Sequence, residues 1–283
     1  MINYIAVIGT GTMGRGIAAC SALNGFKTAL YDINPISVSD AINYIKQSID
    51  KLLQKGKISE LNKIEAEKNL LSVNNLEDLA ECDLIIEAAI ENIEIKKEIF
   101  AKLDIITSKK TILATNTSSF SITSISSSLT NDKSRVIGMH FFNPANIMKL
   151  VEVIKGEFTS ANTVNEIIEI CKKLGKTPVV CNDTPAFIVN RIARPFYGEA
   201  LKIMSEDNLT AEQIDSIMKL EGGFSMGPFE LMDLIGIDVN LSVTKSVYEA
   251  FFYDPKYKPS IIQQKMVDSG LLGRKTGQGF YKY

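Results

Sequence analysis

Along the first two thirds of the chain, short unbroken apolar runs alternate with longer stretches in which apolar residues recur at helical spacing. The runs lie at 4–8, 27–31, 84–88, 111–114, 136–140, 150–154 and 177–180. An apolar run of that length, bounded by turn residues, reads as a strand buried on both faces, as the strands of a parallel sheet are. The intervening stretches at 35–55, 58–70, 93–103 and 159–174 read as helices. Strand and helix in alternation predict an α/β, doubly wound domain. At Asn182-Asp183-Thr184-Pro185 the texture changes. Beyond it, 187–204, 210–220, 228–252 and 259–269 read as helices separated by glycine and proline, with no comparable strand pattern. The division expected is therefore 1–184, with a helical pair inserted at about 36–70, followed by an all-helical domain at 185–283. Several of the later helices are apolar on more than one face, which predicts burial against something further, a second copy of the chain being the natural candidate.

Composition changes this picture little. Of 283 residues, 45% are hydrophobic and 23% charged, and the formal net charge of −2 offers no basic field for nucleic acid or an anionic membrane. No stretch is long and apolar enough to span a membrane, and the start enters a strand without a secretory pattern. The cysteines, Cys20, Cys82, Cys171 and Cys181, lack metal-ligand spacing, so no metal site is expected. Three lie in apolar surroundings, which fits a reduced, cytoplasmic setting.

Two places carry candidate chemistry. The first strand runs into Gly9-Thr10-Gly11-Thr12-Met13-Gly14 and then into a helix. In strand–turn–helix context these glycines serve a tight turn (Gly9), close approach of a pyrophosphate (Gly11) and helix–strand packing (Gly14), and the helix start offers N–H groups to phosphate. The second strand ends in Asp32, at the distance expected of an acid that accepts from a ribose 2′-hydroxyl and repels a 2′-phosphate. NAD rather than NADP is the cofactor this predicts, on a Rossmann-type domain. Small residues at the exit of the 84–88 strand, Ala88 and Ala89, permit close contact with such a cofactor, Ile90 follows as a further candidate contact, and Glu91 and Lys96 are placed to reach it.

The second place is His140, the single histidine of the chain. It ends an apolar run, and Glu152 interrupts the next one. A carboxylate among Val151, Val153 and Ile154 needs a partner, and an imidazole on the adjacent strand supplies one. The plainer reading is a satisfied core histidine beside an edge carboxylate. Lys51 and Lys55 share a helix face, with Lys57 near them; they suit the phosphates of a long anionic substrate, though the spacing alone fits a solvated face.

Taken with Glu91-Asn92, Asn116-Thr117-Ser118-Ser119, His140-Phe141-Phe142-Asn143-Pro144, Asp183-Thr184-Pro185 through Asn190-Arg191, Gly227-Pro228-Phe229 and Gly273-Arg274-Lys275-Thr276-Gly277, these motifs resemble the 3-hydroxyacyl-CoA dehydrogenase family over essentially the whole chain, and within it the short bacterial 3-hydroxybutyryl-CoA dehydrogenases. Ala186 departs from the pattern, the family usually having glycine there. The resemblance implies that His140 is the catalytic base, Glu152 its partner, and Ser119 and Asn190 the residues that position substrate. It implies cofactor contacts at Asp32, Glu91, Lys96, Ser119, Asn143 and Lys275, an acyl-CoA substrate held in part by Lys51 and Lys55, and a homodimer. The rival readings are a dehydrogenase of free hydroxy acids and a non-catalytic NAD-binding protein.

Overall fold

The computed structural model describes residues 2–283. Its chain divides into two compact units, one ending at Thr184 and the other beginning at Pro185. The first is built on one eight-stranded sheet. Its strands are β1 (Tyr4–Ile8), β2 (Lys27–Tyr31), β3 (Leu70–Ser72), β4 (Leu84–Glu87), β5 (Ile112–Thr115), β6 (Val136–Phe141), β7 (Leu150–Lys155) and β8 (Thr177–Asn182), in spatial order β3-β2-β1-β4-β5-β6-β7-β8. Pairing is parallel throughout except between β6 and β7. Order reverses between β1 and β4, the switch point where open α/β sheets take ligands beyond their carboxyl ends. In the middle of the sheet the apolar runs are continuous because helices cover both faces: β4, β5 and β6 are buried along their whole length, whereas the run at 177–180 forms the edge strand β8, which is largely exposed rather than buried on both faces.

The helices of this unit are α1 (Thr12–Leu23), α2 (Pro35–Gln54), α3 (Glu60–Asn69), α4 (Ile93–Ile106), α5 (Ile122–Ser126) and α6 (Ala161–Lys173). Small residues dominate the buried face of α1, Gly14, Gly16, Ala18, Ala19 and Ala22 among them, which lets it lie close to the sheet. α2 is amphipathic, burying Val38, Ala41, Ile45 and Ile49 and starting at an Asn34 cap with Pro35 in its first turn. Strand β3 is absent from the expected elements. It has three residues and follows α3 without a turn, so no apolar run announces it.

The second unit holds α7 (Val189–Glu206), α8 (Ala211–Leu220), α9 (Pro228–Ile235), α10 (Ile237–Ala250) and α11 (Ile261–Asp268) around a core of Tyr197, Leu201, Ile214, Phe229, Met232 and Ile237. The single helix expected over 228–252 is two. Gly236, at φ +99°, ends α9 and turns the chain into α10, a conformation glycine adopts without penalty. Ala186 also lies in the left-handed region, at φ +64°, with its methyl group buried beside Val247 and Tyr257. The backbone conformation that favours glycine is thus present where the chain departs from the family's glycine. Two buried aspartates clamp the C-terminal segment: Asp233 accepts from the Phe280 and Tyr281 amides and the Tyr283 hydroxyl, and Asp215 from the Tyr281 hydroxyl.

Candidate functional site

At the carboxyl end of β1, Gly9 and Gly14 are demanded by packing. A Cβ on Gly14 would lie 1.7 Å from the Gly9 carbonyl oxygen, and one on Gly9 would meet Ala88 and Ala89 at 2.7 Å. Gly11 differs. No atom of the protein lies within 4 Å of where its Cβ would sit, so internal packing does not require glycine there and the approach of a ligand does explain it. The start of α1 has no side-chain cap and no acidic residue in its first turn, whereas α2 to α6 are capped by Asn34, Ser59, Asn92, Ser121 and Ser160. Thr12 and Met13 therefore open a helix whose first N–H groups remain available to an anion. Asp32, just past β2, accepts through Oδ2 from the Thr10 amide (2.8 Å) and hydroxyl (3.0 Å) and through Oδ1 from the Asn34 amide. The glycine turn thus orients the carboxylate, and the residues present fit an adenine dinucleotide with a free ribose 2′-hydroxyl.

Two strands along the sheet, the exit of β4 holds a charged cluster. Glu87 is fully buried and accepts from Lys96 Nζ (2.7 Å) and the Ala89 amide (2.7 Å) on one oxygen and the Thr115 hydroxyl (2.7 Å) on the other. Lys96 lies 3.2 Å from Glu91 as well, so its ammonium is shared between two carboxylates. Glu91 accepts from the Thr117 hydroxyl (2.6 Å), the Ser118 amide (2.9 Å) and the Ser119 hydroxyl (3.3 Å), tying the loop after β5 to the loop after β4. Burial alone would raise the Glu91 carboxyl, but the Lys96 charge and the donors from Thr117 and Ser118 outweigh it and hold it below the usual carboxylate range.

His140 stands one residue before the end of β6. Because β7 returns antiparallel after a short connection, its beginning lies beside the end of β6, and the register pairs His140 with Glu152. The two side chains meet, His140 Nδ1 at 2.6 Å from Glu152 Oε2, both almost wholly buried. Nδ1 is thereby committed to the carboxylate. Phe142 packs its ring on the imidazole at 4.5 Å. Asn116 accepts from the Phe141 amide, fixing the loop after β5 against the end of the histidine strand. Ser119 follows in that loop, half-buried.

Asn143 is exposed in the 142–149 connection, next to a cis bond to Pro144. That connection is pinned by Lys176, a buried ammonium bonded to the carbonyls of Ala145 (2.6 Å) and Met148 (2.9 Å), while Ala145 sits against Gly16 of α1. Lys176 and Glu87 were not singled out by the sequence reading. A lone carboxylate closing the apolar run of β4 was the available signal for Glu87; nothing in the Gly175-Lys176-Thr177 turn distinguishes Lys176. Lys51 and Lys55 project from the exposed side at the end of α2, opposite its buried row. In the second unit, Asn190 lies in the first turn of α7, and Lys275 is exposed and ion-paired with Asp238 at 2.5 Å. Among the described residues no group of histidine, cysteine or acidic side chains could hold a metal ion, and no helix is long and apolar enough to cross a membrane.

The first unit matches the NAD-binding domain of 3-hydroxyacyl-CoA dehydrogenase over residues 4–184, and the second matches the C-terminal domain of the same enzyme over 187–283. The chain belongs to the 3-hydroxyacyl-CoA dehydrogenase family. Family members are NAD-dependent oxidoreductases. Among its relatives, the 3-hydroxybutyryl-CoA dehydrogenase of Clostridioides difficile is 44% identical over 279 residues, with 99% of each chain covered. The 3-hydroxyadipyl-CoA dehydrogenase of Escherichia coli (strain K12) is 45% identical; the match takes in all of this chain and spans 60% of that protein's length. The crystal structure of (S)-3-hydroxybutyryl-CoA dehydrogenase from Ralstonia eutropha superposes with a TM-score of 0.96 at 39% identity, covering 100% of this chain and 99% of that one.

Proposed function

We propose that the protein interconverts (S)-3-hydroxybutyryl-CoA and acetoacetyl-CoA with NAD as electron carrier. The observation that carries this is the buried His140–Glu152 contact at the carboxyl edge of the sheet. In the oxidation direction His140 Nε2 takes the proton of the 3-hydroxyl, and Glu152 stabilises the imidazolium that forms, so the new charge does not stand alone in a dry site. The bound nicotinamide supplies the acceptor for the hydride leaving C3. In reverse, the imidazolium returns its proton to the oxygen developing at C3. Ser119 and Asn190 hydrogen-bond the substrate oxygens and orient C3. Gly9, Gly11, Thr12, Met13 and Gly14 take the pyrophosphate and Asp32 the ribose. Ala89, Ile90, Glu91, Lys96, Ser119, Asn143 and Lys275 complete the cofactor contacts, and Lys51 and Lys55 hold coenzyme A.

The helical unit leaves Ile192, Leu220 and Phe252 exposed at 68%, 80% and 91%, which supports a homodimer formed through the C-terminal helices. The working compartment proposed is the cytoplasm. The test is consumption of NADH with acetoacetyl-CoA, run beside free acetoacetate and beside NADPH. Rapid loss of NADH with the thioester alone is expected. Equal rates with free acetoacetate would replace the thioester reading by a free-acid dehydrogenase, and equal rates with NADPH would remove the ribose role from Asp32.

A further inference from the structure

The cluster at the exit of β4 has more carboxylates than cations. Both Glu87 and Glu91 are surrounded by donors. The Thr115 hydroxyl accepts from the Thr117 amide and so directs its proton at Glu87; the Thr117 hydroxyl accepts from the Phe120 amide and directs its proton at Glu91. An ionised carboxylate is acceptor-only, which is the form these donors suit. Among the described residues Lys96 is the one cation within ion-pair distance of either, so two negative charges share one positive charge and a net charge of −1 remains. Glu87 and Lys96 are 0% and 1% exposed, where solvent screens least, while Glu91 is 38% exposed at the rim. Glu87 is also fixed to the Ala89 amide, on the segment that walls the Gly9 turn.

Oxidised nicotinamide carries a positive ring charge and reduced nicotinamide carries none. We propose that Glu87 is a specificity-determining residue for the redox state of the cofactor: its buried charge, in excess of what Lys96 neutralises, favours binding of NAD+ over NADH. This rests on the dinucleotide reading above. Glu87 is fully buried, so it acts through its field and through the Ala89, Thr115 and Lys96 contacts that hold its carboxylate in place.

The experiment is to titrate the unaltered protein and Glu87→Gln with NAD+ and with NADH separately, following binding by calorimetry and by nicotinamide fluorescence. In Glu87→Gln the affinity for NAD+ is expected to fall about tenfold while that for NADH stays within about twofold, so the ratio of the two dissociation constants moves about tenfold. Equal weakening of both, or an unmoved ratio, overturns the proposal. Thr115→Val removes a hydrogen bond from the same carboxylate without removing charge, and is expected to leave the ratio alone; if it reproduces the shift, the effect is structural and the proposal fails. Should Glu87→Gln not fold, Glu91→Gln removes the same unit charge from the partly exposed end and must move the ratio in the same direction, an unchanged ratio again overturning the idea. Failure of the unaltered protein to bind either form overturns the dinucleotide reading itself, and the proposal with it.

Discussion

The two units store unfavourable local structure in different places. In the first it is electrostatic. Glu87, Lys96, Asp104, Arg135, His140 and Glu152 are all buried, each held by partners: Lys96 by two carboxylates, Arg135 by Asp104, His140 by Glu152. Its described backbone has no residue other than glycine at positive φ. The second unit buries charged groups as well, Arg194, Asp215 and Asp233, and adds a cost in the backbone. Ala186, Phe187, Asn208, Phe252 and Tyr253 all have φ between +52° and +65°, five non-glycine residues in a conformation that costs about 1–2 kcal/mol for an L side chain. A regular sheet can place charges at strand ends with enough neighbours to satisfy them, because adjacent strands and loops deliver donors from several directions. Short helices joined at sharp angles must turn the chain in few residues, and the cost falls on the backbone. Proposed chemistry concentrates in the unit whose cost is charge alone, since a buried charge has a function when the reaction moves a proton or an electron pair.

Replacing one partner of a buried charge pair is the harshest way to break that contrast. Lys96→Met leaves Glu87 buried without its cation, and is expected to destabilise the protein by about 3–5 kcal/mol in denaturant titration. The double variant Glu87→Gln with Lys96→Met removes the orphaned charge and should recover most of that loss. A single variant as stable as the parent would mean that Glu87 is not held as a charge. His140→Gln asks the opposite question. The glutamine amide can still donate to Glu152, so the melting transition should move little. Turnover should nevertheless fall by about a hundredfold or more, with NADH binding nearly intact. Turnover retained within a few-fold would remove His140 from the role of base. The two variants together separate a charge kept for structure from one kept for proton transfer.

Much of this was legible in the sequence, for identifiable physical reasons. A doubly wound sheet writes itself as apolar runs, because strands covered on both faces are mostly apolar and admit a polar residue only where a partner satisfies it. The glycine turn could be read because steric requirements at Gly9 and Gly14 admit no other residue. Glu152 could be set beside His140 because a carboxylate in an apolar strand demands a partner. Other features depend on contacts that no local pattern encodes. The three residues of β3 pair with β2 by position alone. The break at Gly236 leaves helical periodicity on both sides, so a single helix over 228–252 was the simpler reading. Lys96 reads as a residue placed to reach the cofactor, and nothing local foretells that Glu87 and Glu91 enclose its ammonium. Lys176 reads as a turn residue until its ammonium is found on two carbonyls of the connection that carries Asn143.

The backbone side of the contrast can be tested where packing does not intrude. Phe252 follows the end of α10 at φ +53°, the position and conformation where helices commonly end in glycine, and its side chain is 91% exposed. Phe252→Gly removes the steric cost of the left-handed conformation and loses little buried surface. Part of the gain is returned because glycine has more freedom in the unfolded chain. The net expectation is a stabilisation of about 0.5–1 kcal/mol, read as a higher denaturation midpoint with an unchanged slope. Phe252→Ala is the control, since alanine keeps the Cβ clash and should gain nothing. If Phe252 contributes to a subunit contact, both variants lose it equally, and the difference between them still reports the backbone. Equal stability of the two would show that the left-handed conformation costs nothing here, and the backbone strain that sets the second unit apart would not hold at this position.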